Sequence, residues 1–398
     1  MSTFFLPLYP PRGAPGRAEE THQARYAFEV WQIIKHKYFT CPRFRDIISA
    51  SSAKGMNGVK KVLCMLLACA AALTLAACGD TTSASTPTPE NEAVTTPSAT
   101  PTSGAYAAPE SPGEAPAVYM TADISADGLV AVYEALGAEP SGRIAVKLST
   151  GEPGSNYLRP ELIGELVQSF DEPTIVECNT AYGGSRANTA MHYQVAEDHG
   201  YTDLADVDIM DEDGSMALPV TGGTNLTENY VGSHFADYDY FVVLSHFKGH
   251  AMAGYGGAIK NISIGIASAE GKTHIHTGGQ GGSMWSADQD AFLESMAEAG
   301  KRVVDALDGN ILYVNVMNRL SVDCDCDSSP AEPDMHDIGI LASFDPVALD
   351  QACIDLVYAA GDGESLINRI ESRNGLHTLE HAEAIGLGSR TYVLVSID

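Results

Sequence analysis

Positive charge is scarce in this chain: 23 Lys and Arg face 52 Asp and Glu overall, and 13 face 48 from residue 78 onward, a net −35 for that part. Binding a phosphate backbone needs a basic footprint, so nucleic acid is excluded as a partner. The excess acid serves solubility beyond the membrane. Cysteine is sparse too. After Cys78 only Cys178, Cys324, Cys326 and Cys353 follow, which is no disulfide scaffold. No apolar run reaches the roughly 20 residues that span a bilayer. The glycines form neither a Walker A loop nor a GxGxxG fingerprint, so nucleotide binding gains no support. There is no CxxCxxCxxxC ferredoxin run, no Gly-x-Ser-x-Gly elbow and no repeat at solenoid periods.

The longest apolar run, 16 residues from Val62 to Ala77, follows Lys60-Lys61 and is closed by Leu75-Ala76-Ala77-Cys78-Gly79. Basic flank, apolar core and small residues before a cysteine are the parts of a signal peptide. Leu75 to Cys78 resembles a lipobox, which implies acylation of Cys78 and a lipid anchor at the cell membrane, with the protein extracytoplasmic. The expected organisation runs as follows: residues 1–55 an over-extended N-terminus upstream of Met56, 56–77 the signal peptide, 78–115 a disordered Thr/Ser/Pro-rich tether, and 116–398 a single α/β domain.

From Arg143 short β-branched runs alternate with amphipathic stretches, the pattern of a largely parallel or mixed sheet flanked by helices. Strands are expected at 143–148, 174–178, 240–245, 311–316, 338–343 and 392–397. Helices are expected at 160–170, at 185–199 with Ser185 as N-cap, at 287–307, and after the cap Asp345-Pro346. Between Asp206 and Val220 the sequence reads as an inserted β-hairpin on the turn Asp211-Glu212-Asp213-Gly214. Its carboxylates lack the ligand alternation of an EF-hand.

Residues 244–276, LSHFKGHAMAGYGGAIKNISIGIASAEGKTHIH, gather six glycines, four histidines and three lysines behind a predicted strand. In an open α/β sheet that is the carboxyl end, where ligands bind. The stretch from His246 to Gly265 resembles the central signature of the domain of unknown function 362 family. Thr180 to Arg186, Val322 to Cys326 and Gly339 to Asp350 are similar to its other recurrent blocks. The resemblance covers residues 143–398 and implies an α/β fold; some family members also carry iron–sulfur modules, which implies redox chemistry.

His246 and His250 are four apart and Cys324 and Cys326 two apart, and zinc, iron or nickel accepts both imidazole and thiolate. The candidate metal ligands are Cys324, Cys326, His250 and His274, with an iron–sulfur cluster as another form of the centre. A disulfide to Cys178 or Cys353, or plain buried thiols, are the alternatives. Lys248 and Lys260 beside Gly256 and Gly257 form a receptor for carboxylate or phosphate, to which Arg186 adds a bidentate contact and Asn261 an orienting amide. The alternative is that the lysines only neutralise neighbouring acids. His246, His250 and Lys260 are the candidate catalytic groups, a histidine moving protons. These readings lead to a metal-dependent enzyme acting on a small anionic molecule at the outer face of the cytoplasmic membrane. The competing expectation is a lipid-anchored protein that binds a metal or metabolite without chemistry.

Overall fold

The computed structural model describes residues 115–398. The leader, Cys78 and the tether up to residue 114 lie outside the described residues. In chain order the strands are β1 (Ala117–Thr121), β2 (Ile144–Lys147), β3 (Thr174–Glu177), β4 (Asp206–Ile209), β5 (Ser215–Pro219), β6 (Glu228–Gly232), β7 (Tyr240–His246), β8 (Lys248–His250), β9 (Gly254–Gly256), β10 (Ile311–Met317), β11 (Gly339–Ser343) and β12 (Val393–Ser396). The helices of eight residues or more are α1 (Ala126–Ala135), α2 (Pro160–Gln168), α3 (Thr189–Asp198), α4 (Ala269–His276), α5 (Gln289–Ala306), α6 (Pro346–Ala359), α7 (Glu364–Ser372) and α8 (His377–Ala384).

Eight strands make one sheet in the order β12-β1-β11-β10-β7-β2-β3-β4. Only β11 runs antiparallel to its neighbours β1 and β10; every other pairing is parallel. Both faces are covered, which is why the central strands are apolar throughout. Along β7, Phe241 and Val243 face Ile259, Ile262 and Val347 on one side. Tyr240, Val242 and Leu244 face Leu129, Ile163 and Leu166 on the other. Fully burying each such side chain contributes about 1.5–3 kcal/mol.

All six predicted strands are present within a residue or two of their expected limits. Two local expectations change. The helix expected from Ser185 begins at Thr189, because Asn188, whose Oδ1 accepts from the Met191 amide, is the N-cap. The inserted ribbon has a different partner: Asp206–Ile209 joins the main sheet beside β3, while Ser215–Pro219 pairs antiparallel with Glu228–Gly232. Tertiary pairing thus overrides the local Asp-Gly signal. The elements β1 and α1 were not anticipated; β1 is held between β11 and β12 by pairings to distant chain that local pattern does not encode.

Asp345 caps α6 as expected, its carboxylate accepting from the amides of Val347 (2.8 Å), Ala348 (2.9 Å) and Ser389 (2.9 Å). It fastens a helix and the loop before β12 at once. Asp345→Ala should therefore lower stability by about 1–2 kcal/mol, read from the denaturant midpoint at constant slope.

Candidate metal centre and anion cavity

The site is built where the parallel strands end. Lys147 closes β2, Glu177 closes β3 and His246 closes β7, so charged side chains stand together at the carboxyl edge of the sheet. Beyond β7 the chain zips along the segment that follows β10. Phe247 donates to Val316 O (2.9 Å) and Gly249 to Ser321 O (2.8 Å), while His246 Nε2 lies 2.7 Å from Asn318 O. A Cβ on Gly249 would run into the Val322 backbone, so only glycine allows this approach. That zipper brings the 244–276 stretch against the Cys324-Asp325-Cys326 turn. A cavity of about 400 Å³ opens between them.

Paired charges line much of its wall. Lys147, fully buried, donates to Leu148 O (2.6 Å), Asn261 Oδ1 (2.9 Å) and Glu177 Oε2 (3.1 Å), which matches the three N–H groups of an ammonium. Arg186 reaches Glu152 Oε1 (3.1 Å), Glu177 Oε1 (3.3 Å) and Tyr182 Oη (2.9 Å). Burial alone would raise the Glu177 carboxyl, but Lys147, His192 and Arg186 override it and hold the group down at about 2. Asp325 accepts from Lys248 Nζ (2.6 Å) and faces His246 Nδ1 (3.1 Å); these two partners overcome its burial and keep it well below the usual carboxylate range.

Ligand atoms of His250, Cys324 and Cys326 all lie within 4.8 Å of one another. His250 Nδ1 accepts from the amides of Met252 (3.2 Å) and Ala253 (2.9 Å), so the proton of the neutral ring sits on Nε2, and that edge meets Cys326. Burial, with Lys260 adding to it, pushes His250 down to about 4. The hydrogen bond from Cys324 holds Cys326 well below the usual thiol range against its burial, helped by Lys260 and His250. The same hydrogen bond, with burial, raises Cys324. Of the two, Cys326 gives up its proton first. All four described cysteines are free, so neither Cys178 nor Cys353 forms a disulfide with the pair. Burial drives the Cys178 thiol up to about 12, which leaves it unreactive.

Of the residues expected from sequence, His246, Lys248, His250, Gly256, Gly257, Lys260, Asn261, Arg186, Cys324 and Cys326 all line the one cavity. Several have their polar groups taken by protein. Arg186 is engaged by carboxylates and Tyr182, Asn261 by Lys147 and Ser245, and both nitrogens of His246 by Asp325 and Asn318. Lys260 has no side-chain hydrogen bond and no carboxylate partner among the described residues; its charge acts on Cys326 and Cys324. His274 does not line the cavity; on α4 its ring packs edge-on to Tyr230, 5.1 Å away. Two residues on, about 200° round the helix, His276 does. Its Nδ1 lies 2.6 Å from Lys272 O, its ring stacks on Phe292, and burial lowers it to about 4, so the neutral ring presents Nε2 as an acceptor. Lys147 and Glu177 were missed, and Lys272 and Tyr182 fall in the stretches singled out but were given no role. A charge closing an otherwise apolar strand, as in Ile144–Lys147 and Thr174–Glu177, is the signal that points to the first two.

Residues 144–355 match the model of the domain of unknown function 362, DUF362. The chain belongs to this family. Every residue lining the cavity, from Lys147 to Ser328, falls inside the DUF362 match. No curated protein sequence matches the chain. Among solved structures it is similar to a lactate racemase apoprotein from Thermoanaerobacterium thermosaccharolyticum, at 14% identity and TM-score 0.34 over 50% of each chain. It is also similar to a protein from Thermotoga maritima, at 12% identity and TM-score 0.35 over 57% of each chain. The DUF362 chain thus spans about half the length of these relatives. A second group of metal-ligand type, Glu212, Asp213 and His234, stands apart in the β4–β6 region, with the His234 ring nitrogens facing Asp208 and Asp213.

Proposed function

We propose that this protein is a metal-dependent enzyme acting on a small anionic substrate, lipid-anchored through Cys78 at the outer face of the cytoplasmic membrane. The observation that supports it most is the convergence of His250, Cys324 and Cys326 in the wall of a cavity that also holds a lysine without a carboxylate partner. Two thiolates and an imidazole are a donor set for zinc, iron or nickel with one position left open. Ligand atoms around a tetrahedral ion with bonds of about 2.0–2.3 Å stand roughly 3.5–3.8 Å apart, so a modest closure of the group suffices.

His250, Cys324 and Cys326 would hold the metal, and the Met252 and Ala253 amides, which donate to His250 Nδ1, would orient the ring. When bound, the metal supplies Lewis-acid polarisation of an oxygen or carries an electron. Lys260 binds the negative charge of the substrate, and His276, neutral with Nε2 free, moves a proton.

Protein purified anaerobically under reducing conditions should contain about one equivalent of metal, measured by elemental analysis, and reloading the stripped protein should release protons, measured by calorimetry in buffers of different ionisation enthalpy. Purification without metal, together with failure to take any up, defeats the proposal.

A further inference from the structure

Three buried cations of the cavity have carboxylate partners: Lys147 with Glu177, Arg186 with Glu152 and Glu177, and Lys248 with Asp325. Two further lysines of the cavity do not. Lys260, half-buried, has no carboxylate partner and no side-chain hydrogen bond among the described residues, and its charge acts on Cys326. Lys272, 6% exposed on α4, lines the same cavity, and its Nζ donates only to two backbone carbonyls, Ala267 O (2.6 Å) and Cys178 O (3.3 Å). An ammonium has three N–H groups, so one of Lys272 is left without a protein acceptor. A buried charge without a counter-charge is costly, and an anion entering the cavity removes that cost.

The two ammoniums serve different parts of the cavity. Lys260 lies beside the cysteine pair, where its field acts on Cys324 and Cys326. Lys272 lies beside Cys178, at the end of β3. The lining also includes the aliphatic side chains of Ile264 and Met252, which offer carbon to a ligand. From this placement we infer that the ligand carries two anionic groups joined by a short apolar segment, one group held by Lys260 and the other by Lys272. This names the substrate class of the anion site proposed above and rests on that reading. Lys272 is thereby a binding residue, and a monocarboxylate satisfies only half of the site.

The test is titration calorimetry of the full chain with succinate, malonate and acetate at neutral pH and constant ionic strength. At least one of the two dicarboxylates should bind ten-fold or more tighter than acetate. Lys260→Gln and Lys272→Gln should each bring that dicarboxylate to the acetate level, whereas Lys272→Arg, which keeps the charge, should retain most of the preference. Melting curves check folding; if Lys272→Gln melts early, Lys260→Gln and Lys272→Arg carry the test, since the Lys260 side chain makes no hydrogen bond and no carboxylate pair among the described residues. Equal binding of mono- and dicarboxylates, or no binding of either, overturns the inference, as does an undiminished preference in Lys260→Gln. Metal analysis of the same samples separates the two ideas: metal-free protein that prefers a dicarboxylate counts against the metal and not against this ligand class, and metal-bearing protein without the preference does the reverse.

Discussion

Glu177→Ala should destabilise the protein by about 3–5 kcal/mol, because it strips Lys147 and Arg186 of a shared counter-ion where neither can reach water. Glu177 also receives the Thr150 amide at 3.1 Å, so a backbone donor is orphaned at the same time. The carboxylate form is the stabilising one. Its folded pKa of about 2 lies below the ordinary value of 4.5, so the contribution is fully present above about pH 4.5 and is lost as pH falls towards 2. A difference of that size is on the order of 3 kcal/mol. Chemical denaturation at pH 6 and at pH 3 should show wild type losing stability over this interval and Glu177→Ala losing less. Equal losses in both proteins would remove Glu177 from the acid-sensitive network.

The second large effect is expected at Asp325, the residue between the two cysteines. Its carboxylate holds Lys248 and His246, and its carbonyl accepts the Glu152 amide at 2.8 Å, so it fixes the direction of the whole turn. Asp325→Asn keeps the volume and removes the charge. It should cost about 3–5 kcal/mol of stability by leaving Lys248 buried without its counter-ion. Loss of this support should also weaken metal binding about 10- to 100-fold, because groups that orient ligands set affinity nearly as strongly as the ligands do. Competition with a chromophoric chelator reads the affinity and thermal melting reads the stability. Unchanged metal affinity in a destabilised Asp325→Asn protein would show that the turn is structural scaffolding only.

Much of the sheet could be read from the chain, since runs such as Tyr240–His246 and Ile311–Met317 are apolar on both faces and bounded by turn residues. Partnerships were less legible. Asp206–Ile209 looks like a hairpin arm in isolation and is a sheet edge in the fold, because pairing with β3 is decided by chain far away. At the site, residue types were legible and their engagements were not. Histidines, lysines and a Cys-x-Cys mark the chemistry, yet Arg186 looks like a free clamp until Glu152 and Glu177 are seen to occupy it. The choice between His274 and His276 depends on helical phase: only the placement of α4 turns one ring to Tyr230 and the other to the cavity. Lys272 carried no signal beyond its place in the 244–276 stretch, since a buried lysine has the same letter as a surface one.

X-ray absorption of the metal-loaded protein tests the central claim most directly. Two sulfur scatterers at about 2.3 Å and at least one nitrogen or oxygen at about 2.0–2.1 Å are predicted, with both sulfurs lost in Cys324→Ser plus Cys326→Ser. A metal surrounded by nitrogen and oxygen alone, or a sulfur shell that survives in the double variant, would contradict it.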